Sequence, residues 1–312
     1  MRKELELQYE KELIYEICCT IKGVGGTTAG AVAEYFSSLS DFLGSGRREL
    51  KKIVNAKKNS ILSDDRIDLT MSVKSEIVKG TSIPETWVFF LAKSFIRSQV
   101  KMLAEMEFTD LDINPLLAKA LDLRDPKDII RFNMYQSVTR SIVTSWGSTV
   151  EKMLKYSGCE SEKIKVGIKG REPDIVKKIG EKTYCFQVKS GPNTMNVDMV
   201  ESLNKVIEEL EKKGCIGMLG MTYGKRSKIS QQILGNLNNA VAITKIGREL
   251  WDFIAECTDY HKKLIKIIES ATRQELKKSF IDIIEAKIDT FSTEWKTRYK
   301  GMDVNLALEE YM

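Results

Sequence analysis

The 312 residues hold one histidine, His261. That scarcity excludes nucleases that hold a metal through histidines, HExxH proteases, and Ser-His-Asp hydrolases unless His261 is their base. Proline is almost as rare, at 5, so long proline-rich linkers are absent. The cysteines Cys18, Cys19, Cys159, Cys185, Cys215 and Cys257 form no CxxC pair and keep no regular spacing. With a single histidine to complete it, a zinc site is not expected, and these cysteines read as small buried apolar groups of a reducing compartment. No apolar run approaches the ~18 residues that span a bilayer. The opening MRKELELQYEKEL is charged and helix-like rather than a secretory signal. These absences point to a cytoplasmic protein without a membrane segment.

What is present is an ordinary globular balance, 42% hydrophobic and 30% charged, with a net charge of +5 too small to imply nucleic acid by itself. Residues 1–83 read as short helices broken by glycine turns: Glu4–Cys18, Thr27–Phe36, Arg48–Val54, and one capped by Asp64-Asp65 that ends at Gly80. Pro84 then opens a long helix to about Met106. From Asp128 to Tyr156 apolar residues recur at three and four. The period changes after that. Lys163–Lys169 alternates charged and apolar residues, as a half-buried strand does, and Thr183–Lys189 follows the turn at Gly180 as another strand. Val197–Lys213 is an amphipathic helix, Cys215–Tyr223 a buried strand, Ser227–Leu237 a short helix and Ala240–Thr244 a final strand. Residues from Gly247 to Met312 read as helices. The expected fold is α/β, a mixed sheet with the helix Val197–Lys213 crossing between the strands Thr183–Lys189 and Cys215–Tyr223. The expected division is 1–83 as a small all-α domain and 84–312 as the sheet domain with C-terminal helices.

Within the sheet region, Arg171-Glu-Pro-Asp174 is followed by Gln187-Val-Lys189. Residues at i and i+2 of a strand share a face, so Gln187 and Lys189 project side by side. A hairpin through Gly180 brings Asp174 alongside them. Two oxygen ligands and an ammonium then converge, a set suited to a hard cation such as Mg²⁺ and to phosphodiester hydrolysis.

Pro173-Asp174 and Gln187-Val188-Lys189, in this order of elements, resemble the PD-(D/E)XK nuclease superfamily and its type II restriction endonucleases. The resemblance implies the restriction-endonuclease-like mixed sheet with large helical elaborations. It implies Asp174 as a metal ligand, Gln187 in the second ligand position, the Val188 carbonyl as a further ligand and Lys189 as the catalytic lysine. Gln187 stands where the superfamily usually has Asp or Glu, so the site lacks one negative charge. Glu151 sits where the superfamily often carries an extra acidic ligand; Glu201 and Glu172 are the other candidates to compensate. The loop Ser190-Gly-Pro-Asn-Thr-Met-Asn196 looks like those of the restriction enzymes, as does the junction Gly247-Arg-Glu-Leu-Trp251, although Trp251 alone reads better as a core aromatic.

Near the N-terminus, Ile21-Lys22-Gly23-Val24-Gly25 followed by Thr27 resembles a helix-hairpin-helix motif. Glycines leave the turn's amides bare, and with the next helix's N-terminus they suit a phosphate oxygen. Lys22–Lys58 holds seven basic residues against three acidic ones. The alternative is a tight helix–helix turn that only packs.

Base reading is expected from Lys225 and Arg226 in the loop after the third strand. Ser190, Asn193, Thr194 and Asn196 lie nearer the scissile phosphate. The expected partner is double-stranded DNA, cut by a homodimer at a short, GC-rich, GGNCC-like palindrome, with a cognate DNA methyltransferase as functional partner. A repair or junction-resolving nuclease, and a DNA-binding protein with a decayed site, are the competing readings.

Overall fold

The structure, a computed structural model, describes residues 2–19, 21–55, 58–76, 83–159, 164–166 and 172–312. The chain divides into two compact units, Met1–Leu91 with Val150–Ile268, and Ala92–Thr149 with Glu269–Met312.

The first unit begins with α1 (Arg2–Cys19), α2 (Gly26–Tyr35), α3 (Leu39–Gly44), α4 (Arg47–Leu50) and α5 (Asp64–Glu76). Leu13, Ile14 and Ile17 of α1 are fully buried, as are Ala29 and Val32 of α2. The helix expected at Arg48–Val54 stops at Leu50. Val54 instead bridges to Ser60, and the Asn55 side chain takes the Asn59 N–H at 3.1 Å, so local side-chain bonding closes a turn there. The expected end of the next helix at Gly80 lies outside the described residues. Next come α6 (Ile83–Glu105), α7 (Pro115–Ala120) and α8 (Pro126–Tyr156).

The sheet is built from β1 (Ile175–Ile179) and β2 (Lys182–Lys189), then α9 (Val197–Glu211), β3 (Ile216–Met221), α10 (Gln231–Asn236), α11 (Ala240–Ile243) and β4 (Thr244–Ile246). Its order is β1-β2-β3-β4, with β1 and β2 antiparallel and the other pairs parallel. The expected last strand is shifted: Ala240–Ile243 is helical, launched by the left-handed Asn239 (φ 53°), and the strand begins at Thr244. The helix expected at Ser227–Leu237 is a single 3₁₀ turn at Arg226–Lys228 followed by α10. Ile164–Val166 form no strand, and the rest of Lys163–Lys169 lies outside the described residues. Val166 is buried with Val176, Cys185, Val206 and Leu210, so over Ile164–Val166 the alternation reports alternate burial rather than ladder pairing.

One face of the sheet carries Leu219 and Met221 against Val200, Leu203 and Ile207 of α9. The other carries Tyr184 and Phe186, whose rings lie 5.0 and 5.8 Å from Phe253 of α12 (Arg248–Ala255). The last helices are α13 (Tyr260–Glu275), α14 (Phe280–Arg298) and α15 (Val304–Glu309). The second unit is helical around Ile129, Ile130, Met134, Ile288, Phe291 and Trp295. All six cysteines are free. Cys18, Cys159 and Cys185 are buried as expected, whereas Cys19 is exposed and Cys215 and Cys257 are half-buried. No helix among the described residues is long and apolar enough to cross a membrane.

Candidate active site

Pro173 is buried and delivers Asp174 to the start of β1. The Asp174 N–H donates to the Phe186 carbonyl at 2.9 Å, carrying the ladder beyond Ile175. Asp174 Oδ2 accepts from the Val188 N–H at 2.6 Å and from the Gln187 amide. Gln187 and Lys189 stand in register with Leu219 and Met221, so both lie on the α9 face of β2. Asp174, Gln187 and Lys189 are therefore brought together at one end of the β1–β2 hairpin.

The Asp174 side chain reaches water, but the protein mass around it strips part of its solvation and pushes its carboxyl above the ordinary value. The Val188 N–H, the Lys189 ammonium and the Gln187 amide act against that rise. Glu151, near the end of α8, is also raised: desolvation is the main cause, Asp174 adds repulsion and Lys189 opposes it. Two carboxylates that raise their proton affinity next to a lysine form a donor set that a divalent cation would relieve. Successive residues of a strand turn their backbone groups to opposite sides. The Phe186 carbonyl faces β1, and the Lys189 carbonyl takes the Thr222 N–H on the β3 side at 3.0 Å. The Val188 carbonyl consequently faces the edge occupied by Asp174. The residues present thus fit an oxygen-ligated cation held by Asp174, Glu151 and the Val188 carbonyl. Gln187 meets Asp174 as a donor, the opposite of what a second carboxylate does. Glu201 lies on the exposed side of α9, Glu172 is exposed, and neither figures among the charges that move Asp174 or Glu151.

The loops after β2 and β3 are joined next to this edge. The Ser190 carbonyl accepts from the Tyr223 N–H at 3.2 Å and from Thr222 Oγ1 at 2.9 Å, and the Pro192 carbonyl accepts from the Ser230 N–H at 3.2 Å. A Cβ on Gly191 would come within 2.6 Å of the Tyr223 ring, so glycine leaves the room that the ring takes here. Thr194 Oγ1 donates to the Gly191 carbonyl at 2.8 Å, and Asn196 caps α9 by accepting from the Met199 N–H at 2.9 Å. Asn193 and Lys225 are exposed and Ser190 is half-buried. Arg226 is committed internally, to Glu249 at 2.5 Å and to the Val241 and Thr244 carbonyls at 2.8 and 2.9 Å. Trp251 is buried, and its Nε1 donates to the Thr222 carbonyl at 2.9 Å.

At the N-terminal turn Lys22, Gly23, Gly25 and Thr27 are exposed and Val24 is buried. Gly23 has φ 83°, and a Cβ there would lie 3.2 Å from Arg66 Nε of α5. Arg66 is a charge at the turn that local sequence could not reveal, because α5 delivers it from a distance. Part of the neighbouring basic cluster is neutralised: Arg47 pairs with Asp64 (3.2 Å) and Asp68, and Lys51 with Asp64 (2.8 Å).

A separate group, Asp252, Asp259 and His261, has ligand-type atoms within 4.8 Å of one another. Asp252 accepts from the Asp259 and His261 N–H groups at 3.1 and 3.2 Å and meets the His261 ring at 2.9 Å. Burial alone would raise its carboxyl, but these bonds hold it below the ordinary value. The cluster serves as a cap at the turn into α13, and the lone histidine is used there.

No curated protein matches the chain. Residues 86–275 match the family of the type II restriction endonuclease EcoO109I. This segment is more than half of the chain and contains Glu151, Asp174, Gln187 and Lys189. With that match over a mixed sheet bearing a carboxylate–lysine edge, the chain belongs to the EcoO109I family of type II restriction endonucleases, enzymes that hydrolyse DNA.

Proposed function

We propose that the protein is a Mg²⁺-dependent, site-specific deoxyribonuclease that cuts double-stranded DNA at a short GC-rich palindrome of the GGNCC kind. The observation that carries this reading is the meeting of Asp174, Gln187 and Lys189 at one end of the β1–β2 hairpin, with Glu151 of α8 electrostatically coupled to it. Asp174, Glu151 and the Val188 carbonyl would hold Mg²⁺, which when bound neutralises phosphate charge and lowers the pKa of a water. Gln187 steadies the Asp174 carboxylate through its amide. Lys189 orients the attacking water and screens the charge that develops on the phosphate. Glu151 is assigned the compensating role, because its carboxyl is raised in part by Asp174 and is opposed in that rise by Lys189.

Two further surfaces address DNA in this reading. Residues 1–83 form a helix-hairpin-helix domain whose turn, with Lys22, Gly23, Val24, Gly25 and Thr27, takes phosphate oxygens on its amides and positions the duplex without reading bases. Ser190, Asn193, Thr194 and Lys225 of the joined loops reach bases or backbone beside the cut. Asn196 and Arg226 hold those loops in shape. Cutting both strands of a palindrome calls for a homodimer with one site per strand. Such an activity in the cytoplasm requires a cognate methyltransferase to protect the host's own sites.

The test is incubation of linear and branched DNA with Mg²⁺, with EDTA as control. Discrete fragments from linear DNA, abolished by EDTA, support the reading. Cuts confined to branch points, or intact DNA that shifts on a gel, would replace it with the repair-nuclease or decayed-site alternative.

A further inference from the structure

Lys177 is a charged side chain in the interior of the nuclease unit, 5% exposed. It lies on β1, three residues beyond Asp174. Its ammonium donates to the Gly158 carbonyl at 2.8 Å and pairs with Glu256 Oε1 at 2.6 Å. Gly158 lies two residues past the end of α8, and Glu256 caps α12 in a left-handed conformation (φ 50°). One cation therefore joins β1 to the ends of α8 and α12, where carbonyl groups without helical partners favour positive charge. The junction is tight. Gly158 has φ 134°, and a Cβ there would lie 2.8 Å from the Ile254 carbonyl oxygen and 3.3 Å from Lys177 Nζ. Ser157 adds a bond to the Tyr260 hydroxyl at 2.8 Å, so the end of α8 is fixed from two sides.

Glu151 lies on α8, seven residues before Gly158. A buried ammonium is costly to desolvate and is weak evidence of stabilisation, whereas fixing a register is its best-attested use. We propose that Lys177 is a positioning residue: by fastening the end of the Glu151 helix to the Asp174 strand, it sets the spacing of the two carboxylates and so the grip of the site on Mg²⁺. The proposal rests on the metal-holding role given to Asp174 and Glu151.

The test uses the full chain and two readouts, the Mg²⁺ concentration for half-maximal cleavage and the Mg²⁺ dependence of thermal unfolding in the absence of DNA. Lys177→Met should raise the Mg²⁺ requirement in both by roughly 10- to 100-fold, the usual effect of losing an outer-shell support. The rate at saturating Mg²⁺ should stay near that of the parent. Lys177→Arg should recover most of the loss. Placed in a Glu151→Gln background, Lys177→Met should add no further shift, because both changes act through the same carboxylate. A lower Tm with an unchanged Mg²⁺ requirement, or an equal shift in the Glu151→Gln background, would overturn the proposal. If Lys177→Met does not fold, Glu256→Gln carries the test, with a shift in the same direction expected and no shift decisive against it. Asp174→Asn separates the two failures: if it leaves the Mg²⁺ dependence untouched, the metal-site reading falls first.

Discussion

The Asp174 carboxylate lies 2.6 Å from the backbone N–H of Val188, so β2 grips the acid through the residue between Gln187 and Lys189. At Val188 only proline would remove this backbone donor, and it costs no side-chain entropy to hold. The acid is thereby fixed against the same strand that presents the lysine.

Removing either member of that pair should separate chemistry from binding. Asp174→Asn and Lys189→Ala are each expected to lower cleavage by at least about a hundredfold, in line with the loss of a metal ligand or of an electrostatic stabiliser. DNA affinity in Ca²⁺, read by gel shift, should stay within a few-fold. Full cleavage by either variant would show that the site lies elsewhere.

The raised carboxyls of Asp174 and Glu151 set the sign of a pH effect. Both have folded-state pKa values above their unfolded ones, so the folded protein binds more protons as they titrate. Metal-free stability should therefore fall as pH rises from the ordinary carboxylate range through the raised values. Glu151→Gln should flatten that fall and raise the metal-free Tm at neutral pH, while Mg²⁺ raises Tm in the parent more than in the variant. Cleavage at limiting Mg²⁺ should drop on acidification at a higher pH than an unperturbed carboxylate would give. A Tm–pH curve that is identical in parent and variant would contradict the coupling.

The parts read correctly from sequence are those whose signal is local. β2 and α9 show alternation and helical periodicity that survive folding, and Gly180 marks the hairpin that aligns Asp174 with Gln187. Ala240–Thr244 misled because a short β-branched apolar run fits a buried helix turn as well as a strand. Of Lys163–Lys169 only Ile164–Val166 lie among the described residues, and they form no strand because alternate burial does not require a ladder partner. In the site, the Asp174–Lys189 edge was legible from a proline, a turn and an i, i+2 pair. The donor role of Gln187, the internal commitment of Arg226 and the junction at Lys177 were not, since each depends on partners brought from distant positions.

Gly191 and Tyr223 form a pair whose cost can be measured. In Gly191→Ala the new methyl meets the Tyr223 ring, but that ring is exposed and can swing aside, so the cost should stay within about 0.5 kcal/mol. Unfolding in urea checks this. A loss of about 1–3 kcal/mol, the cost of overpacking, relieved by Tyr223→Ala in the same chain, would show instead that the ring is held on Gly191.

Lys225 and Arg226 are adjacent in sequence but differ in their commitments, so they should respond differently to salt. Lys225→Ala removes an exposed ammonium and should lower the slope of log K against log salt by about 1. Arg226→Ala breaks bonds to Glu249 and two carbonyls and should destabilise the loop by about 1–3 kcal/mol, leaving the salt slope nearly unchanged. A slope lowered equally in both variants would mean that Arg226 leaves its partners to meet DNA, and a parental slope in both would mean that Lys225 touches no phosphate.

The hairpin is best tested by point changes, because α1 belongs to the same compact unit as the sheet and the Tyr156 hydroxyl donates to Glu12 of α1 at 2.9 Å. Deleting α1 would strip that unit of Leu13, Ile14 and Ile17 and confuse folding with binding. Lys22→Glu reverses one exposed charge at the turn and leaves the buried Val24 untouched. If the turn holds phosphate, this change should weaken DNA binding several-fold at low salt, and the difference from the parent should shrink as salt rises. The cut sequence should stay the same, since a phosphate contact positions the duplex without reading it. A changed fragment pattern would assign the turn a role in base recognition, and unchanged affinity at low salt would leave it as a packing element only.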